Sequence, residues 1–436
     1  MSYRNLVSLA GLLTLAVVAW LFSKKKKVIN WKVILWGFGL QILLAFFVFL
    51  VPAGSRFFLL INEVVVRVLD SASAGIRFLF GPLALPPGTK GEGGESSVGF
   101  ILAFQGLPTV VFFAALVGAL YYLKVMPFLI RLFARIFTRL MKVSGAESLC
   151  VSSNVFVGIE SALVVRPYLT RMTISELGTI LTAGMATIAS SVLSVYVMVL
   201  KNELPTIAGH LVTASLLSAP AALLTSKLIF PETEKPETLG LNVEPYYERE
   251  DNLIMAIING AQSGLKLLAG IVALLLAFLG LLALLDLILG WLGGQLNSLF
   301  GWHFHWQVAG ILSYVFYPFS LLMGVAPQDA MTVARLLAER VVATELVSYQ
   351  HLAELLRSGA FHEVRSAIIA SYALCGFAHV ASLAIFVGGV GALAPERLKD
   401  LSRLGFRALL AATLACMVTG AVAGVFYSGS SLLFGR

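Results

Sequence analysis

Apolar residues fall in long runs along this chain, each about the length of one membrane crossing. Runs near 5–22, 33–52, 100–123, 176–200, 208–230, 265–291, 366–392 and 405–430 each approach the roughly 20 residues a helix needs to span the hydrocarbon. They predict an all-α polytopic membrane protein with about eight transmembrane helices. Two further stretches, 146–169 and 329–356, are apolar enough to enter the membrane but are interrupted midway. The first carries Asn154, Gly158, Glu160 and Ser161 at its centre; the second carries Thr344, Glu345, Ser348 and Tyr349. A carboxylate at mid-depth is expensive, and it persists where it lines a polar cavity, commonly on non-helical backbone. These stretches therefore predict two re-entrant helical hairpins.

Charge fixes the expected orientation. Lysine occupies every position from 24 to 27, and basic loops stay cytoplasmic. The N-terminus then lies outside, and the remaining spans bring the C-terminus outside as well. The loop with Arg397, Lys399, Arg403 and Arg407 falls inside, as does 231–250, while the Gly- and Glu-rich linker 86–97 falls outside. Along 125–143, Arg131, Arg135 and Arg139 recur every four residues beside Lys142, among Phe128, Leu132 and Phe137. That stripe fits a helix lying along lipid headgroups, or the solvated face of an ordinary helix. The order span, surface helix, interrupted hairpin, span, span occurs twice, starting inside and then outside. This is an inverted repeat, a layout that many secondary transporters use to hold a solute between two halves.

Composition agrees: 58% of residues are apolar, 12% are charged and the mean hydropathy is +0.90, against roughly 25% charged in soluble domains. The net charge of +8 sits at helix ends and does not point to nucleic acid. The first run continues into Ser23 and the lysines without a small-residue cleavage site, so it reads as a retained helix. Cys150, Cys375 and Cys416 lack metal-ligand spacing and read as small packers. Two spans also look broken. One has Gly184, Thr187, Ser190, Ser191 and Ser194 close together; the other has Cys375-Gly376-Phe377-Ala378-His379. Such residues serve either close helix packing or an unwound stretch whose oxygens hold a cation.

Several blocks together resemble the concentrative nucleoside transporters, from Lys24 to the C-terminus. They are Leu107-Pro-Thr-Val-Val-Phe-Phe, Asn154-x-x-x-Gly158 followed by Arg166-Pro-Tyr, Gly184-Met-Ala-Thr-Ile-Ala-Ser-Ser-Val, Leu374-Cys-Gly-Phe-Ala and Leu404-Gly-Phe-Arg-Ala-Leu-Leu-Ala-Ala-Thr-Leu. The resemblance implies a homotrimer with a fixed scaffold and a mobile, elevator-type transport domain. It suggests scaffold helices in 1–124, an interfacial helix, hairpin 1 and the first transport repeat in 125–230, and a cytoplasmic loop and scaffold helix in 231–305. Residues 306–436 would hold a surface helix, hairpin 2 and the second repeat. It also implies a sodium site formed by the side chains of Asn154 and Thr187 with the carbonyls of Ile188 and Val192; oxygen-only ligands suit a hard cation. The implied location is a bacterial-type inner membrane.

The solute site departs from the family pattern. The resemblance assigns it Gly158, Ile159, Glu160, Val192, Asp329, Thr344, Glu345, Val347 and Ser348. Ile159 stands where relatives carry a base-reading Gln, Thr344 where they carry a ribose-binding Asn, and His379 where they carry another Asn. The Trp of the family's Gly-Val-Pro-Trp-x-Glu/Asp block is lost in Gly324-Val-Ala-Pro-Gln-Asp329. Without the Gln, discrimination between bases should fall to the 1–3 kcal/mol that apolar contacts give. The carboxylates Glu160, Asp329 and Glu345 remain to accept hydrogen bonds from hydroxyls, so a polyhydroxylated solute, a nucleoside first, is expected. Asp329 could instead cap the following helix. Proton coupling through Glu160 or His379 is the alternative to sodium. A sensor that keeps the fold is a further reading. An enzyme is not expected: His362-Glu363 lacks a second ligating His, and His303-Phe-His305 lacks a nearby carboxylate.

Overall fold

A computed structural model describes residues 3–86, 88–91, 94–247, 250–301 and 306–428, the side chain of Ile159 excepted. Among them the fold is built from helices, with only isolated bridges of extended backbone. The first helices are α1 (Tyr3–Leu21), α2 (Trp31–Leu50) and α3 (Pro52–Phe80), then a short α4 (Leu102–Gln105), α5 (Thr109–Tyr122) and α6 (Val125–Met141). Hairpin 1 is α7 (Gly145–Asn154) followed by a 3-10 arm (Ile159–Arg171). Next come α8 (Ile174–Ala186), α9 (Ser190–Leu200) and α10 (Ile207–Ile229). The second half repeats the order: α11 (Leu253–Phe300), α12 (Val308–Leu322), hairpin 2 as α13 (Ala330–Val342) and α14 (Glu345–Arg357), then α15 (Val364–Ala373), α16 (Val380–Leu393) and α17 (Leu398–Phe426).

Both interrupted stretches are hairpins, and both suspected spans are broken. α8 and α9 part at residues 187–189, and α15 and α16 part at 374–379. Seven helical stretches among the described residues are long and apolar enough to cross a membrane, with 308–322 and 380–393 as shorter apolar helices. The expected span 366–392 is therefore two short helices. α3 was not expected. Arg56, Glu63, Arg67, Asp70 and Arg77 break its apolar run, yet Phe58, Leu69 and Ile76 form a buried stripe while Phe57, Leu60 and Phe78 stay exposed.

Local sequence explains the hairpin and helix starts. Ser144 and Thr173 each open a helix with a capping box, closed by Glu147 and Glu176; the S/T-x-x-E spacing satisfies two orphan amides at once. Behind these caps, Lys227 Nζ reaches Glu147 at 2.7 Å and the Ser175 hydroxyl at 2.9 Å, fully buried at the end of α10. Gly324 adopts φ +84, and a Cβ there would lie 2.0 Å from Ser8 Oγ. Only glycine fits that turn without strain.

The helices pack as two groups. α11, 48 residues long and so about 70 Å at the helical rise, lies along α5. A Cβ on Gly118 would come within 2.5 Å of Ala256 O, and one on Gly260 within 2.6 Å of Ala114 O. Close backbone approach through small residues is how helices associate in lipid. The second group has α8, α10 and α17 at its buried centre. α1 and α2 join this group, against α17 and α10. The α1 and α2 helices, in the segment 1–124 grouped above as scaffold, thus pack on the helices that carry the hairpins. Their buried Asn5 and Ser8 are spent on α17 and the α12–α13 turn: Asn5 Nδ2 donates to Val425 O (2.9 Å) and Ser8 Oγ to Met323 O (2.8 Å). Arg365 binds Asn5, Ser8, Gly324 and Gly424 together.

Candidate functional site

Where α7 ends, hairpin 1 meets the first helix break. The Ser190 amide, opening α9, donates to Phe156 O at 3.0 Å, and the Ser215 hydroxyl donates to Val155 O at 3.1 Å. Asn154, Thr187, Ile188 and Val192 are all buried around this junction. Asn154 Nδ2 donates back to Cys150 O (3.1 Å), and Thr187 Oγ1 donates to Ala183 O (2.9 Å). Asn154 Oδ1 is buried without a hydrogen-bond partner. A buried amide oxygen left unpaired is costly, and beside the open end of a broken helix it fits a cation ligand. No group of three His, Cys, Asp or Glu able to hold a metal occurs among the described residues, so the donors on offer here are neutral oxygens.

The second break gathers a denser cluster. Glu345, the first residue of α14, has one oxygen accepting the Tyr196 hydroxyl at 2.6 Å and the other 3.0 Å from His379 Nε2. Both Glu345 and His379 are 3% exposed. His379 Nδ1 accepts the Ser382 amide at 3.1 Å, and the Ser382 hydroxyl lies 3.3 Å from the His379 amide, a capping box that starts α16. With Nδ1 used as an acceptor, Nε2 is the ring nitrogen that faces the carboxylate. Tyr196 stacks on Tyr349 with centroids 4.6 Å apart, and the Tyr349 hydroxyl donates to Ser371 O at 2.8 Å. The helix N-terminus also favours the Glu345 charge.

Two cavities lie at the two ends of α9. One, of about 390 Å³, is lined by Gly158, Glu160, Tyr121, Ser191, Asn259 and Ser263 among others. The other, of about 310 Å³, is lined by Gln105, Lys201, Asn202, Gln350, Glu354 and Arg357 among others. Tyr196, on the same helix, sits between them and holds Glu345. Glu160 is exposed to the first cavity, whereas Glu345 does not line either one. The tip carboxylates thus do not share one open space.

The remaining expected solute residues separate into two sets. Gly158 lines the first cavity and Val192 is buried beside it in α9; the side chain of Ile159 lies outside the described residues. Thr344 caps α14, accepting the Val347 amide at 3.4 Å, and the Ser348 hydroxyl donates to Leu336 O at 3.0 Å, so hairpin 2 uses both internally. Val347 is half-buried beside them. Asp329 stands apart from both sets. It lies at the base of hairpin 2, a whole α13 away from the tip, about 20 Å at the helical rise. Its side chain does not cap α13. Instead it accepts the His362 and Glu363 amides (2.9 and 3.2 Å) and sits 2.8 Å from His362 Nδ1, fixing the start of α15. Tyr196 and Ser382 were missed. Ser382 could have been found from its three-residue spacing after His379; Tyr196 carries no local signal. His303 and His305 lie outside the described residues.

Three family models match in order: "Na+ dependent nucleoside transporter N-terminus" over 10–83, "Nucleoside recognition" over 103–203 and "Na+ dependent nucleoside transporter C-terminus" over 210–424. YutK, an uncharacterized transporter of Bacillus subtilis (strain 168), is 37% identical over 96% of this chain and 98% of its own length. The chain belongs to the Na+-dependent nucleoside transporter family. It is a multi-pass membrane protein of that transporter family and not an enzyme. The nucleoside permease NupC of Helicobacter pylori is 35% identical over 98% of this chain and 99% of its own length. Mouse solute carrier family 28 member 3 is 39% identical over 97% of this chain, but the chain spans only 59% of that protein. Among solved structures, CNTnw in an inward-facing substrate-bound state matches with TM-score 0.86 and 34% identity, covering 98% of this chain and all (100%) of that one. A double variant of CNTnw in an outward-facing state matches with TM-score 0.87 and 34% identity, covering 98% and 99%. The family's all-helical architecture is therefore this chain's.

Proposed function

We propose that the chain is a cation-coupled nucleoside symporter of the inner membrane, with sodium as the coupling ion and an elevator-type movement. The observation that carries the coupling is the buried, unpaired Asn154 Oδ1 at the first helix break. Asn154, Thr187 and nearby backbone carbonyls would hold the ion with neutral oxygens. Hairpin 1 and α9 are tied together there by the Ser190–Phe156 hydrogen bond, so an ion at this junction orders the segment that carries Glu160 and Ser191. Ordering favours solute, and solute then favours the ion by the same factor, as linkage requires. Family membership and the NupC relative support a nucleoside as the solute. Both termini are taken to face outward, and the exposed length of α11 is taken as the face of a homotrimeric scaffold.

Glu160 serves as an acceptor for solute hydroxyls from the first cavity, and Glu345, held by Tyr196 and His379, serves as one when the site between the cavities opens. Cavities of 310–390 Å³ at opposite ends of α9 are in the range of small-molecule sites, and they suit access from each side in turn. Uptake of labelled uridine and adenosine into proteoliposomes, with an imposed sodium gradient or with choline in its place, tests the proposal. Accumulation should follow the sodium gradient; equal uptake in both buffers would remove sodium, and no uptake of either would remove the nucleoside.

One observation favours a second reading, proton coupling. Glu345 and His379 form a buried pair 3.0 Å apart that one added proton would rearrange, since protonating Nδ1 breaks the cap on α16. Uptake driven by a pH step in sodium-free buffer is the result this reading requires.

A further inference from the structure

The two halves furnish their broken helices differently. In the first, α8 stops at Ala186 and hairpin 1 supplies Asn154, an uncharged side chain with an unpaired oxygen. In the second, α15 stops at Ala373 and hairpin 2 supplies Arg340. Arg340 is 0% exposed, and its Nη1 donates at 2.6 Å to Ala373 O, the last carbonyl of α15. Asn154 precedes the tip residue Glu160 by six positions and Arg340 precedes Glu345 by five. Both side chains therefore leave the first arm of their hairpin at about the same height below an acidic tip.

The C-terminal end of a helix leaves carbonyls without partners and carries partial negative charge. A break inside the membrane leaves that end with no water to satisfy it, which makes it a place for a cation. The two breaks are packed together: a Cβ on Gly376 would lie 2.9 Å from Ala186 O and 2.4 Å from Cys416 Sγ. Cys416 Sγ contacts both Ala186 O and Cys375 O at 3.8 Å and borders the guanidinium. Among the described residues Arg340 has no ion pair to any carboxylate, and its Nε and Nη2 are buried without hydrogen-bond partners. A buried guanidinium with so few partners is unfavourable unless a local field holds it, and the end of α15 provides that field.

We propose that Arg340 is a resident cation at the second break, in the position that the inverted repeat gives to an exchangeable ion at the first. It holds residues 374–379 in the shape that presents His379 to Glu345, and so acts as a positioning residue for the solute site. The proposal rests on the reading of the first break as an ion site. A space-filling role is the alternative, and it depends on volume rather than charge.

Full-length protein carrying Arg340→Lys, Arg340→Met or Arg340→Ala separates the two. The Lys variant should keep sodium-driven uridine uptake, and the Met variant, similar in length but uncharged, should lose most of it. The melting temperature of the Ala variant should rise with low concentrations of guanidinium chloride and not with choline chloride at equal ionic strength. Its sodium titration should also become steeper, because a second ion can enter the vacated position. Wild-type behaviour in the Met variant overturns the proposal. So does an Ala variant that responds alike to guanidinium and choline while Lys performs no better than Met. If wild-type uptake ignores sodium, the reading of the first break fails; the guanidinium comparison needs no sodium and still judges Arg340.

Discussion

Glu345 divides its two oxygens between unlike partners, a phenol at 2.6 Å and an imidazole at 3.0 Å, and each partner has a second duty. Tyr196 belongs to the helix that runs between the two cavities, and His379 starts α16. Glu345→Gln keeps the shape and removes the charge, so the protein should remain folded while uridine uptake falls tenfold or more, about the 1.4 kcal/mol or above that a charge-assisted hydrogen bond supplies. Unchanged uptake would take Glu345 out of the solute site. His379→Asn is a sharper probe, because Asn is a good N-cap and should preserve α16 while removing the imidazole that faces Glu345. Uptake by this variant should fall about as far as in Glu345→Gln; parental uptake would show that the imidazole does not hold the carboxylate in place. At the other break, Asn154→Ala removes the unpaired oxygen, and the half-saturating sodium concentration for uptake should rise about tenfold, the effect of one ligand worth 1–2 kcal/mol. A sodium titration reads this directly.

Elements were legible in the chain wherever burial and spacing spoke together. Long apolar runs gave the spans, and carboxylates inside apolar stretches gave both hairpins, because the bilayer penalises a charge wherever a cavity or partner does not hold it. α3 was missed because five charged residues dilute its apolar stripe below the signal of a span. The place of Asp329 was not legible, because a carboxylate next to a hairpin looks the same in sequence whether it faces the tip or the base, and α13 puts a full helix length between the two. Tyr196 could not be read, since its role depends on hairpin 2 arriving from 149 positions away. The buried Lys227–Glu147 pair, 2% and 1% exposed, was equally silent, as it joins the end of α10 to the cap of α7. Lys227→Met removes the ion-pair partner of a buried carboxylate and should lower stability by about 3–5 kcal/mol, read as a drop in melting temperature in detergent. Adding Glu147→Leu should recover much of that loss, since an apolar pair replaces a buried ion pair at little cost. A double variant no more stable than Lys227→Met would show that the capping box, not the ion pair, dominates.

At the scale of the whole molecule the two helix groups meet through α5 and α9, and polar bonds cross that contact. One such bond is clear: Thr109 Oγ1 on α5 and Ser194 Oγ on α9 lie 2.9 Å apart and buried. α5 belongs with α11, and α9 with the group that carries both hairpins. A comparable pair lies wholly inside that second group, Thr179 Oγ1 on α8 and Ser226 Oγ on α10, at 3.1 Å. Hydroxyls in contact put their Cβ atoms near disulfide geometry, so the two pairs make matched cross-links in one protein. The native thiols Cys150, Cys375 and Cys416 are buried and can stay in place. If the two groups move past one another during transport, oxidising the Thr109→Cys/Ser194→Cys variant should stop uridine uptake, and reduction should restore it. Oxidising Thr179→Cys/Ser226→Cys should leave uptake nearly intact, because α8 and α10 travel together. Full transport with the α5–α9 bridge closed, verified by loss of free thiol, would mean that solute crosses without relative movement of these helices, and the gating would then have to come from the hairpins alone.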